Sequence, residues 1–217
     1  DVATFVEGGW SSDGKIYVFG QYGKTDKNFQ GWAELIEVDI EKNDYVNNGY
    51  FSIKPSAVTS GKNGREVYES LEAKSFYSTK PLNLKKTGPD QKLYICEDPL
   101  KKGSDVINFT DFLGSEIENP NSFTVKLITD VSGTGTSAKS SFYILIEKKD
   151  AEGNVIASQK VGNPDIRRKG VTGYKIEQIL TDKDGKSMVF VVEKIMEDST
   201  GINIRYMVET CNLNENF

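Results

Sequence analysis

Short runs of alternating apolar and polar residues, separated by turn-forming pairs, fill most of the chain. A two-residue period marks a strand with one buried face, so residues 3–10, 15–22, 32–40, 44–53, 92–97, 104–110, 122–130, 140–149, 154–162, 172–181, 186–196 and 202–211 read as strands. Asp13-Gly14, Asp184-Gly185 and Glu152-Gly153-Asn154 fall between such runs. Glycine and asparagine there accept the positive φ of a tight hairpin. One segment departs from the pattern: NGREVYESLEAKSFYS, 63–78, has Asn63 followed three residues later by Glu66, a helix start of the capping-box kind. Val67 and Leu71 share a face at helical spacing, and Pro81 closes the segment. The expectation is one amphipathic helix covering a sheet face or edge.

The hairpin around Asp13-Gly14 returns near the other end. Asp13-Gly14-Lys15 matches Asp184-Gly185-Lys186, and Val18-Phe19 matches Val189-Phe190 at the same offset. Gly31 with WAELIEVD is then matched by Gly201 with INIRYMVE. Each unit runs strand, D-G-K turn, strand, loop with glycine, strand. This is a structural repeat, and by itself it names no activity.

Such a unit resembles a blade of the TolB-like and WD40-like β-propellers. Ser12-Asp13-Gly14-Lys15 and Glu34-Leu35-Ile36-Glu37-Val38-Asp39 carry the likeness, with Ser12 where the blade pattern has proline. The blade-like units cover 3–50 and 172–211, while the middle, 51–171, holds the helix and further hairpins without a third clear copy. Over its full length the chain resembles an uncharacterised family of predicted secreted bacterial proteins, best represented in spirochaetes. That resemblance rests on DVATFVEGGWSSDGKIYVFGQYG, AELIEVDIEKNDYV, SSFYILIEK, VGNPDIRRKGVTGYKIEQIL, DGKSMVFVVEK and IRYMVET. It implies export, to the periplasm or beyond, and supplies no catalytic or binding residue.

Length and composition sharpen this picture. At 217 residues the chain fits one β-rich domain, 1–217. A net charge of −5 argues against nucleic acid as a partner, since phosphate-backbone affinity comes from clustered Lys and Arg. The apolar run FYILI, 142–146, falls far short of the roughly 20 residues of a membrane-spanning helix, so no transmembrane segment is expected. A start at Asp1 without an apolar leader fits a mature exported protein whose signal peptide has been removed, or a trimmed chain. Cys96 and Cys211 either close a long disulfide loop or remain buried thiols.

Candidate chemistry is sparse. Without any histidine the chain cannot itself supply a Ser-His-Asp or Cys-His system or a His-ligated metal. SGTGTSAKSS, 132–141, comes within one residue of a phosphate-binding loop, but Ala138 replaces the required glycine and a strand pattern follows instead of a helix. An EF-hand register with Gly185 sixth puts Leu180 first and Val191 twelfth, where oxygen donors are obligatory. Carboxylate pairs such as Glu34 with Asp39 and Glu116 with Glu118 suit solvated strand faces as well as a glycosidase. Arg167-Arg168-Lys169 is the densest basic cluster, an exposed loop that either pairs with local Asp and Glu or meets an anionic polymer, a lipid headgroup or an acidic partner. Trp10 and Trp32, at equivalent edges of the first unit, either pack, at least one of them, into the core or stack a sugar or anchor an interface.

The sequence thus predicts a mostly β protein of antiparallel sheets with two blade-like, propeller-like units and one helix near 63–78. Its expected role is that of an exported periplasmic or cell-envelope binding module, non-catalytic and needing no cofactor or metal, with a protein or envelope component as partner. A carboxylate-dependent hydrolase of envelope glycans and a structural subunit of an envelope complex are the alternatives.

Overall fold

A computed structural model describes residues 1–97, 105–110, 122–215 and 217. In chain order its elements are β1 (Thr4–Trp10), β2 (Ile16–Lys24), β3 (Gly31–Asp39), β4 (Asp44–Ile53), α1 (Gly64–Thr79), β5 (Lys92–Ile95), β6 (Val106–Thr110), β7 (Ser122–Ser132), β8 (Lys139–Lys149), β9 (Val155–Val161), β10 (Arg168–Lys169), β11 (Val171–Thr181), β12 (Ser187–Asp198) and β13 (Gly201–Asn212). They form three antiparallel sheets and, among the described residues, close no barrel. Sheet I is β1-β2-β3-β4. Sheet II runs β6-β7-β8, with β9 and β10 lying one after the other along the outer edge of β8. Sheet III is β5-β11-β12-β13.

The three sheets stack, with sheet III in the middle. Its Leu180, Val189, Val191 and Val208 meet Tyr17, Phe19, Ile36 and Val38 of sheet I. From its opposite face Ile176, Ile179, Met188, Phe190 and Val192 meet Val125, Phe142, Ile144 and Ile146 of sheet II. Burial on both faces explains why MVFVV, 188–192, is uninterrupted by polar residues, whereas β8, with one face inside, alternates. The outer face of sheet I offers Val18, Ala33 and Leu35, and Val67, Tyr68 and Leu71 of α1 cover it. Asn63 starts that helix, its side-chain oxygen accepting from the amides of Arg65 and Glu66 at 2.8 and 3.3 Å. Tyr68 lies so close to the sheet that only glycine fits beneath it: a Cβ on Gly20 would stand 2.4 Å from the ring.

The two repeat units are β1-β2-β3 and β11-β12-β13, and they stack in the same sense. In each unit the valine of the Val-Phe pair faces one way and the phenylalanine the other. Phe19 therefore packs onto the face that carries Val189, leaving the Val18 face for α1 and the Phe190 face for sheet II. A head-to-tail stack always leaves two unlike faces to cover, and the helix and sheet II cover one each.

The disulfide alternative is corrected. Cys96 and Cys211 are both thiols. Cys96 follows β5 at one edge of sheet III and Cys211 sits on β13 at the other, with β11 and β12 between them. Three strand spacings alone separate them by about 14 Å across the sheet, about twice the longest Cα separation that a disulfide spans, and the register sets them further apart along the strands.

Candidate functional site

Both D-G-K turns lie at the same end of the stack, as the like orientation of the two units requires. In the first, Gly14 takes φ +72°, and in the second Gly185 takes φ +67°. Ser11 N bonds Ile16 O at 2.8 Å and Gly14 N bonds Ser11 O at 3.0 Å. The counterparts are Asp182 N to Ser187 O at 3.2 Å and Gly185 N to Asp182 O at 3.1 Å. Side chains finish the turns differently. Ser11 Oγ accepts from Ile16 N and Asp13 Oδ1 from Lys15 N, whereas Asp182 Oδ1 accepts from both Lys186 N and Ser187 N. Hydrogen bonds from the Ser11 hydroxyl and the Lys15 amide hold the Asp13 carboxyl below its usual range.

Between these turns opens a cavity of about 1080 Å³, as bounded by the described residues. One wall is Trp10, held in place on every side. Its indole Nε1 donates to Thr87 Oγ1 at 2.8 Å, Thr87 Oγ1 donates to Glu7 Oε2 at 2.8 Å, and Tyr17 OH donates to the same oxygen at 2.7 Å. Burial, with Glu7 beside it, pushes the Tyr17 phenol well above its usual range. Backbone bonds between Trp10 and Lys85, both 2.9 Å, bring Lys85 and Lys86 to the rim. Leu93, Phe123, Met188, Leu213 and Phe217 give the interior its apolar surface, which continues the core between sheets II and III. The rings of Phe123 and Phe217 stack 6.0 Å apart.

The charge of this cavity runs against that of the chain. Six lysines line it, Lys15, Lys85, Lys86, Lys148, Lys183 and Lys186, against four acids, Asp13, Asp182, Asp184 and Glu215. Two of the acids, Asp13 and Asp182, are engaged by turn amides. Among the described residues Lys15, Lys85, Lys86, Lys183 and Lys186 form no salt bridge.

The five residues singled out from the sequence are not brought together. Trp10 lines the large cavity, edge-on to Tyr17 at 5.2 Å. Trp32 lies at the other end of sheet I beside a smaller cavity of about 180 Å³, its ring covered by the Arg205 guanidinium at 4.1 Å and its Nε1 donating to Asp1 Oδ2 at 2.9 Å. Neither indole offers an open stacking face. Arg167 pairs with Asp130 at 2.8 Å and donates to Ser132 Oγ and Lys139 O. Arg168 lies over the rings of Phe142 and Tyr174 at 5.2 and 5.9 Å, and Lys169 is exposed on β10. The pair Glu116 and Glu118 falls outside the described residues. SGTGTSAKSS forms the connection from β7 to antiparallel β8.

Carboxylates do meet inside the stack. Lys175 Nζ lies 3.7 Å from Glu177 Oε2 and 3.9 Å from Glu193 Oε2, and Tyr206 OH donates to Glu193 Oε1 at 3.4 Å. Burial, reinforced by the like charge of Glu177, pushes the Glu193 carboxyl up to about 7. Burial also works against the Lys175 ammonium, but Glu193 and Glu177 outweigh it and raise its pKa. Lys175 and Glu193 are 4 and 5 % exposed, and neither cavity described above is lined by this triad.

Sequence reasoning passed over Lys85, Lys86 and Lys148. The first two form a basic pair six residues past the end of the helix, a legible but unspecific signal. Lys148 is opposite Phe123 in the β7–β8 register and reads locally as an ordinary strand lysine.

No helix among the described residues is long and apolar enough to cross a membrane. The comparison with curated proteins gives no match. A family model does match, over residues 18–212, from the second strand of the first repeat unit to the end of the last strand of the second. The chain belongs to the family described as "Predicted secreted protein (DUF2259)".

Proposed function

We propose that this secreted chain is a non-catalytic binding module of the periplasm or cell envelope, of the spirochaete type that its sequence resembles, and that it takes its ligand in the cavity between the two D-G-K turns. One observation carries the reading: two turns about 170 residues apart in sequence converge on the same roomy, mixed apolar and basic cavity. Its volume lies just above the roughly 300–1,000 Å³ typical of ligand pockets. The likeness of the two units to propeller blades supports it further, since such scaffolds present loops from rigid sheets. The three sheets share two continuous cores, and we propose that residues 1–217 fold as one domain.

A thermal-shift panel of divalent cations, envelope glycans, lipid headgroups and nucleotides tests the reading. A ligand that binds only the folded chain raises its stability by about 2.7 kcal/mol at 100 times its dissociation constant. The expected result is a shift with one class that Leu213→Trp, which fills the cavity, abolishes. Shifts that survive this substitution would place binding elsewhere, and an unmoved midpoint across the panel would overturn the reading.

A further inference from the structure

We infer that the ligand of this cavity is a single-chain anionic amphiphile, with a phosphate or carboxylate head held at the lysine rim and an alkyl tail laid along the apolar interior. The inference deepens the binding reading above and rests on it.

Two features of the cavity select this class together. Lys15 and Lys186 stand at the same place in the two turns, and Lys85 is fixed beside them by its backbone bonds to Trp10. Four ammonium groups, counting Lys86, thus face one opening without a salt bridge among the described residues, in a protein whose net charge is −5. With six lysines against four acids the lining is net positive in an acidic protein, and that excess raises the local potential and favours an anion. A free inorganic anion, however, would leave the partly exposed Leu93, Leu213 and Phe217 uncovered below it. These side chains belong to or pack against the core between sheets II and III, so a tail entering there extends an existing apolar layer. Each methylene buried there adds to the affinity. A neutral lipid would leave the rim unmatched, and a hydrophilic anion would leave the interior unfilled.

The test titrates the full chain, below micelle-forming concentrations, with tetradecanoate, tetradecyl phosphate, tetradecanol and inorganic phosphate. Tryptophan emission is the readout, because Trp10 forms one wall. Both anionic chains should bind one per protein, with tetradecanol at least about ten-fold weaker and inorganic phosphate without effect. Lys15→Glu combined with Lys186→Glu should weaken the anionic chains about ten-fold while the thermal midpoint of the unliganded protein stays in place. Lys85→Glu provides a second charge reversal should the first pair disturb the turns. Equal binding of tetradecanol would overturn the role of the rim and leave the cavity as the binding site. Phosphate binding as tightly as tetradecyl phosphate would overturn the role of the interior. If none of the four binds while another ligand gives a shift that Leu213→Trp abolishes, the amphiphile is wrong and the module stands. If neither occurs, both fall.

Discussion

Lys175 and Glu193 face each other across two strands of the middle sheet, ammonium to carboxylate oxygen 3.9 Å, with both side chains buried. The Glu193 carboxyl titrates near 7 in the folded chain, against about 4.5 for an ordinary glutamate. Between those values the folded state binds more protons than the unfolded one, so Glu193 makes stability fall as pH rises from about 4.5 to 7. The slope it adds is at most about 1.4 kcal/mol per pH unit. Thermal unfolding midpoints taken from pH 5 to 8 should therefore drop more steeply in the native chain than in Glu193→Gln. Parallel curves for the two would refute this.

The thiols differ sharply in environment. Burial pushes the Cys211 thiol up to about 12, where almost none is thiolate at neutral pH. Cys96 is half-buried beyond the end of β5. A maleimide reagent on the folded protein should label Cys96 and spare Cys211, and in denaturant without reductant two adducts per chain should appear in the mass spectrum. A single mass without adducts under those conditions would mean that the cysteines are bonded after all.

Gly20→Ala tests the seating of α1. A Cβ there meets the Tyr68 ring at 2.4 Å, and such overpacking typically costs about 1–3 kcal/mol. Denaturant titrations should show that loss, and truncating Tyr68 to Ala in the same chain should shrink the further cost of the Gly20 change. A cost that ignores Tyr68 would assign the effect to the strand instead.

Asp182 alone does in the second turn what Ser11 and Asp13 do together in the first. Asp182→Ala should accordingly cost about 1–2 kcal/mol, the usual loss for an acceptor of two backbone amides, while Asp184→Ala, two residues on, stays within about 0.5. Equal effects at both positions would contradict the assignment.

Much of the fold is legible because its signals are local. The period of two in FYILIEK, the D-G pairs and the cap at Asn63 each fix a strand, a turn or a helix start without reference to the rest of the chain. The two-residue strand β10 carries no such period, and Arg168-Lys169 read as loop. What no local signal carries is which faces meet. Val18 and Val189 are equivalent in sequence, yet one faces a helix and the other a sheet, because the units stack head to tail. The candidate site was hidden for the same reason. Trp10 was recognisable as an aromatic at a strand end, but the cavity beside it needs residues 11–15, Lys85, Lys86, Gln91, Leu93, residues 182–188, Leu213 and Phe217 at once, and only the stack assembles them. Trp32 resembled Trp10 in sequence and lies at the opposite end of its sheet.

The position of the middle sheet bears on how a secreted chain of this kind matures. Three of its four strands come from residues 171–212, and both outer sheets bury their inner faces against it. A chain that crosses a membrane with residue 1 leading therefore delivers the layer on which both cores depend last. Until then sheets I and II have no partner for their inner faces, and pairings between distant segments are slow to form. Such a molecule stays threadable through a narrow channel for most of its passage, and locks into its final shape only when the segment carrying the second repeat unit has emerged.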